Sequence, residues 1–107
     1  MATTPATALP GAAVTVTLSA VAGVYHQVHN ISWSYSAMPT GGRITVADGG
    51  TTVVDFDLVQ DPFDSLPTSL LPILSVAQNT DMVITLAAGG IGVTGKLVID
   101  ADDVTFQ

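Results

Sequence analysis

Apolar and polar residues alternate along most of this chain with a period of two, the pattern of a strand with one face buried. In 13–19 the apolar residues are Val14, Val16 and Leu18, and threonines or serine stand between and after them. The pattern repeats at roughly ten-residue spacing, which predicts short antiparallel strands and not a parallel α/β sheet. The predicted strands cover 13–19, 24–29 (short or bulged), 31–36, 43–47, 52–58, 81–86 and 93–100, and 102–107 adds one more, for a total of seven or eight.

One hairpin stands out in this pattern. Asp48-Gly49-Gly50 separates 43–47 from 52–58, and Asp-Gly between alternating segments is a strong hairpin signal because both residues tolerate positive φ. In the returning strand, the alternation predicts Val54, Phe56 and Leu58 on the inward face.

Two segments do not alternate. Residues 1–12 are small and contain two prolines, which predicts an extended N-terminal arm outside a single domain spanning 13–107. Residues 59–80 contain three prolines at five-residue spacing among leucines, which predicts a long apolar connection with one short helical turn near 65–71. We expect these two segments to contact partners through Pro5, Leu9, Pro10, Pro62, Phe63, Leu66, Leu70, Leu71 and Ile73.

Composition supports an all-β fold. Valine and threonine each supply 14 of the 107 residues, and both are β-branched and favour strands. There is no glutamate, and the only basic side chains besides histidine are Arg43 and Lys96. A mainly helical fold would lack its usual surface residues. We therefore predict an antiparallel β-sandwich of jelly-roll-like type.

The charge of the chain excludes several partners. Nine aspartates against two cations give a net charge of −7, so the chain cannot follow a phosphate backbone and is repelled by anionic membranes. No cysteine is present for disulfides or thiolate chemistry. We expect neither a signal peptide nor a membrane span. An apolar fraction of 48% with so few charges indicates burial against neighbouring proteins.

His26 and His29 are the first candidates for chemistry. On a helix, residues three apart share a face and can hold a metal, whereas on a strand they point to opposite faces. Their valine- and tyrosine-rich neighbourhood favours a strand. We therefore expect one histidine at an edge or turn and one packed with its hydrogen bonds satisfied, and no metal, cofactor or catalytic residue is assigned.

Two carboxylate clusters, 55–64 and 100–103, are the second candidates. Paired carboxylates can serve glycoside hydrolysis or calcium binding. Neither cluster has the spacing of an EF-hand or lies beside a catalytic histidine motif, so solvated strand faces and turns are the preferred interpretation. Trp33 and Tyr35 could stack on a sugar, but aromatic residues at strand spacing more often belong to a core.

The order of segments resembles small all-β structural proteins of tailed bacteriophages, found as capsid decoration (cement) proteins or virion appendages. The matching stretches lie between about residues 20 and 100. This resemblance implies a non-enzymatic subunit, made in the host cytoplasm and carried on the capsid surface, that binds the major capsid protein and copies of itself, as a homotrimer. The stretches that carry it are Gly23-x-Tyr25-His26, Ile31-Ser32-Trp33-Ser34-Tyr35-Ser36, Pro39 to Val46, Asp48 to Val53, Val83 to Gly90 and Gly95-Lys96-Leu97.

Two other functions stay open at this point. The chain could be a receptor- or carbohydrate-binding module of a phage fibre or appendage, with Trp33 and Tyr35 at its site. It could also be a small hydrolase that uses Asp55 or Asp57 with His26, although no sequence motif supports this.

Overall fold

The computed structural model describes residues 2–58, 62–66 and 71–105, and in this part of the chain all regular structure is β-strand. Every strand pairs with its neighbours in antiparallel fashion. The nine strands are β1 Ala2–Thr7, β2 Val14–Leu18, β3 Tyr25–Tyr35, β4 Arg43–Asp48, β5 Thr51–Asp57, β6 Phe63–Ser65, β7 Ile73–Leu74, β8 Met82–Leu86 and β9 Gly95–Val104.

The strands form two sheets that pack face to face. One sheet has the order β1-β9-β3-β6, with β7 also paired to β3, and the other has the order β2-β8-β4-β5. The predicted all-β antiparallel sandwich is thus confirmed. The jelly-roll type stays a prediction. The strand order is compatible with it, because in each sheet a strand from late in the chain lies between two strands from early in the chain.

The core lies between the sheets and comes directly from the period-two pattern. Ile31, Trp33 and Tyr35 of β3 are buried, while the serines between them are partly exposed. In the facing sheet, Ile44 and Val46 of β4 are fully buried. Because successive side chains of a strand point to opposite faces, alternation along the sequence becomes an apolar layer inside and small polar residues outside.

The predicted hairpin is present as β4 and β5, joined by a turn in which Gly49 and Gly50 have positive φ. The register shifts between Val46 and Ala47, so that Val53 is an extra residue in β5. Phe56 lies opposite the buried Ile44, as predicted for an inward residue, yet it remains 40% exposed. The reason is its position: β5 is an edge strand, and the facing sheet covers an edge incompletely.

The structure corrects the prediction of a free N-terminal arm. Ala2–Thr7 form β1, an edge strand paired along its whole length with β9. Local pattern could not reveal this, because the segment is ordered by a partner strand about 95 residues away in the chain. Pro5 is compatible with the edge position, where a missing N–H is tolerated. Deletion of residues 1–10 would therefore remove a strand of the sheet.

The proline-spaced connection is partly strand. β6 and β7 both pair with β3, at different ends of that long strand. The helical turn predicted near 65–71 falls largely outside the described residues. Leu66 is only 3% exposed and belongs to the core, so the expectation that its side chain contacts a partner is wrong.

Candidate interaction surface

Three loops meet at one end of the sandwich. They are 8–13 between β1 and β2, 36–42 between β3 and β4, and 87–94 between β8 and β9. The first loop joins the third because the Gly11 N–H donates to the Val93 carbonyl at 2.9 Å, and the second joins the third because the Thr40 N–H donates to the Gly89 carbonyl at 2.8 Å. The three loops therefore form one connected surface.

This surface exposes large apolar side chains. Leu9 is 78% exposed, Met38 59% and Ile91 103%, one from each loop. None of the three loops contains an Asp, Glu, Lys or Arg. We call Leu9, Met38 and Ile91, with the loops that carry them, the apolar tip. Solvated apolar groups grouped in this way typically mark a site of protein contact.

The apolar tip is held in shape by close packing beneath it. The Tyr35 hydroxyl donates to the Ala87 carbonyl at 2.7 Å, and burial raises the pKa of that hydroxyl. A Cβ on Gly89 would lie 2.7 Å from the Tyr35 ring, and one on Gly90 would lie 2.6 Å from the Thr40 hydroxyl. At Gly89 and Gly90 the loops thus lie too close together for a side chain. A surface that is already ordered loses little conformational entropy when it binds.

The predicted contact residues are divided by the structure. Leu9 and Pro10 lie in the apolar tip, and Phe63, 73% exposed, lies at the start of β6. Phe63 pairs with Ser34, one residue before the end of β3, on the side of the tip. The remaining positions are less accessible or elsewhere: Pro5 is exposed on β1, Pro62 is half-buried, Leu71 and Ile73 pack partly against the core, Leu66 is buried, and Leu70 lies outside the described residues.

Sequence reasoning missed Met38 and Ile91. Both lie in segments whose pattern predicts only turns, because glycine or proline residues lie next to them. One signal was available: Gly90-Ile91-Gly92 places a large apolar residue between two glycines, where no strand alternation can bury it. Such a residue at a turn is a candidate for contact with another molecule.

The two histidines each have an aspartate partner from β9. His26 is buried, its Nε2 lies 2.9 Å from the Ser19 carbonyl oxygen and its Nδ1 lies 3.1 Å from Asp103 Oδ1. A carbonyl oxygen only accepts, so Nε2 carries a proton. The expectation of one packed histidine with satisfied hydrogen bonds is confirmed by His26. His29 is also within β3, not at an edge or turn, and its Nε2 lies 2.9 Å from Asp102 Oδ2.

Replacing His26 should therefore cost stability. In His26→Phe the ring volume is roughly kept, but both hydrogen bonds are lost, and we expect a loss of about 1–3 kcal/mol in the free energy of unfolding. His29→Phe is the matched control, because that ring is partly exposed and should change stability much less. Urea denaturation of both variants measures the difference, and equal losses would contradict this account of His26.

Among the residues that the structure describes, the carboxylates Asp55 and Asp57 of the 55–64 cluster contact an arginine and not a histidine. Asp55 and Asp57 lie on β5, where Arg43 Nε is 2.6 Å from Asp55 Oδ1 and 3.4 Å from Asp57 Oδ1. His26 is in the other sheet with partners of its own. In the described part of the chain, no group of three or more His, Cys, Asp or Glu side chains is placed to hold a metal ion. The structure thus does not bring Asp55 or Asp57 together with His26, the combination that the hydrolase interpretation used.

A groove of about 380 Å³ opens at the opposite end of the sandwich, lined in part by Asp48, Val53 and Val76. Asp48 is nearly buried, and its Oδ2 accepts the Val76 N–H at 2.9 Å. That carboxylate is therefore engaged in holding the 75–81 loop, and the rest of the lining is mostly apolar or hydroxylic.

The comparisons with known proteins add no relative. No family model, curated protein or solved structure matches the chain. Among the described residues, no helix has the length and apolar character to cross a membrane.

Proposed function

We propose that this chain is a non-enzymatic structural subunit of a tailed-phage virion, of the capsid decoration or cement type, that stabilises the head through protein–protein contacts. The observation that carries the proposal is the apolar tip: three exposed large side chains on hydrogen-bonded loops without charge. The resemblance in the sequence supplies the biological setting, and the tip supplies a means of attachment.

The binding free energy that one apolar tip can supply suits a protein that attaches through several contacts at once. Full burial of a Leu, Met or Ile side chain contributes about 1.5–3 kcal/mol, so the tip supplies at most about 5–9 kcal/mol. Association itself costs about 4–15 kcal/mol. One tip alone is thus marginal, and attachment would use further contacts, such as Phe63, or several copies bound at once.

The proposed partners are the major capsid protein and further copies of this chain, at the capsid surface. The homotrimer implied by the resemblance stays a prediction. The excess of carboxylates elsewhere on the chain repels nucleic acid and anionic membranes, so neither is a proposed partner. No cofactor takes part in the proposed function.

The alternative is a receptor- or carbohydrate-binding module of a fibre or appendage. Its sequence support was the pair Trp33 and Tyr35, whose rings could stack on a sugar. Both side chains are buried in the core, so neither presents a face to a ligand. The lining of the groove at the opposite end of the sandwich contains no aromatic residue among those described.

Capsid binding tests the proposal. Met38→Ser combined with Ile91→Ser (M38S/I91S) should lower co-sedimentation with phage heads that lack the protein by about tenfold or more, since two apolar anchors worth about 1.5–3 kcal/mol each are removed. The matched control is V53S/V76S, which removes two exposed apolar residues at the opposite end and should bind normally. Unchanged binding by folded M38S/I91S would overturn the role of the tip, and binding of the unaltered protein to a purified fibre receptor or glycan but not to heads would support the alternative.

A further inference from the structure

The sandwich has four edges, and three of them carry features that block pairing with another strand. An unpaired edge invites strand addition, and proteins commonly prevent it with charges, prolines, bulges or very short strands. The edges differ in this respect, and the difference indicates where a second chain can bind.

The edge at β5 is blocked in two ways. Asp55 and Asp57 lie along it, and the extra residue Val53 interrupts its regular pairing with β4. The edge at β6 and β7 consists of strands of three and two residues, and Asp64 lies in the longer one. The edge at β1 contains Pro5, which lacks an N–H.

The edge at β2 has none of these features. Its sequence is Val14-Thr15-Val16-Thr17-Leu18, without charge or proline, and its pairing with β8 runs residue by residue without a shift. Thr15 and Thr17 are exposed on the outer face. Among the described strands that lie at an edge, β2 is therefore the one left open to a partner strand.

Charge favours a second copy of this chain as that partner. Two chains of net charge −7 repel each other, but residues 1–42 contain no Asp, Glu, Lys or Arg. Both strands on this side of the sandwich, β1 and β2, come from that uncharged stretch. Two copies that meet at β2 thus keep most of their carboxylates away from the contact. The exception is Asp81, whose Oδ1 accepts the Ala20 N–H at 2.6 Å just past the end of β2.

The sequence around β2 also fits a two-fold contact. If two β2 strands pair in antiparallel fashion about Val16, then Thr15 faces Thr17 of the second copy, and Val14 faces Leu18. The exposed Leu9 and Val21 lie outside β2, in the loops that precede and follow it, and take no part in this register. The register therefore pairs threonine with threonine and apolar with apolar residues, and it places no like charges opposite each other.

We propose that this protein forms a symmetric dimer by antiparallel pairing of β2 with β2 of a second copy, which joins two four-stranded sheets into one. The pairing depends on the open edge at β2, the uncharged stretch 1–42 and the register of β2, and it differs from the three-fold association that the resemblance implies. One consequence does rest on the proposed function: antiparallel strands place the two apolar tips at opposite ends of the dimer. A dimer lying flat on a capsid would then bridge two neighbouring subunits.

Molar mass in solution, measured by light scattering or sedimentation without any capsid present, tests the pairing separately from attachment. The unaltered chain should have twice the mass of one chain. Thr15→Lys with Thr17→Lys (T15K/T17K) places lysines opposite lysines in this register, and the mass should fall twofold. T15K/T17D is the matched control, because each introduced lysine then faces an introduced aspartate, and the dimer should persist. T51K/T52K, on the blocked β5 edge, should also remain dimeric.

Three results would overturn the pairing: a monomeric or trimeric mass for the unaltered chain, a dimeric mass for T15K/T17K, or a monomeric mass for a folded T15K/T17D. Circular dichroism and thermal unfolding establish that each variant is folded. Hydrogen exchange of the unaltered chain adds a readout that needs no variant: β2 amides should become more protected as protein concentration rises, while β5 amides should not. Protection of β2 that is independent of concentration would contradict the dimer.

Discussion

Ile99→Ala should lower the free energy of unfolding by about 3–4 kcal/mol, whereas Ile91→Ala should change it by less than about 0.5 kcal/mol. The two substitutions remove the same atoms from opposite environments. Ile99 is fully buried in β9 between the sheets, and Ile91 is fully exposed at the apolar tip. Truncation in a packed core loses the transfer energy of the removed carbons and leaves a cavity, while truncation on a surface does neither.

Urea denaturation measures the free energy of unfolding of both variants. Co-sedimentation with phage heads that lack the protein measures how well each variant attaches. If the apolar tip attaches the protein, Ile91→Ala should weaken binding while Ile99→Ala, kept folded at low temperature, should bind normally. Ile99→Ala should therefore be the less stable variant but the better binder, and Ile91→Ala the more stable variant but the weaker binder. A large loss of stability in Ile91→Ala would show that its side chain is buried in the folded protein and would remove it from the tip.

Gly89→Ala should destabilise the protein by about 2–3 kcal/mol. The added methyl would lie 2.7 and 2.8 Å from two carbons of the Tyr35 ring and 3.0 Å from a methyl of Val93. The ring cannot move away easily, since it is buried and its hydroxyl is bonded to the Ala87 carbonyl. The loops of the apolar tip must separate instead, so binding to heads should weaken together with stability.

Gly41→Ala is the matched control for this effect. It lies in a neighbouring loop, where the nearest atom to an added Cβ is the Ala88 carbonyl oxygen at 3.8 Å, an ordinary contact. Its stability should be unchanged or slightly higher, because alanine restricts the unfolded chain more than glycine does. Thermal unfolding separates the two variants. Equal melting temperatures for Gly89→Ala and the unaltered chain would mean that Tyr35 does not pack against this loop.

The sequence predicts the hairpin well because everything that defines it is local. Asp48-Gly49-Gly50 sets the turn, and alternation on either side sets the inward faces of β4 and β5. The incomplete burial of Phe56 could not be predicted in the same way. Whether an inward residue is covered depends on whether its strand is central or at an edge, and strand order is a property of the whole fold.

The apolar tip likewise could not be predicted from the local sequence pattern. The proline-bearing segment around Leu9 predicts a contact residue, whereas the pattern around Met38 and Ile91 predicts only turns. The three residues are 29 or more positions apart in the chain. Their loops meet through hydrogen bonds among Gly11, Thr40, Gly89 and Val93. The aspartate partners of His26 and His29 are likewise supplied by β9, more than 70 residues away.

By itself, the sequence determined the fold class, the faces of the strands and the hairpin, because these depend on side-chain type and on a period of two. It also determined that the chain has too few cationic side chains to bind polyanions. Tertiary structure decided which strands are edges, that residues 2–7 are one of them, and which apolar side chains stay exposed. The physical reason is that hydrogen-bonded pairing and burial join segments far apart in the chain. A local pattern records only which face of a strand is apolar, not what covers that face.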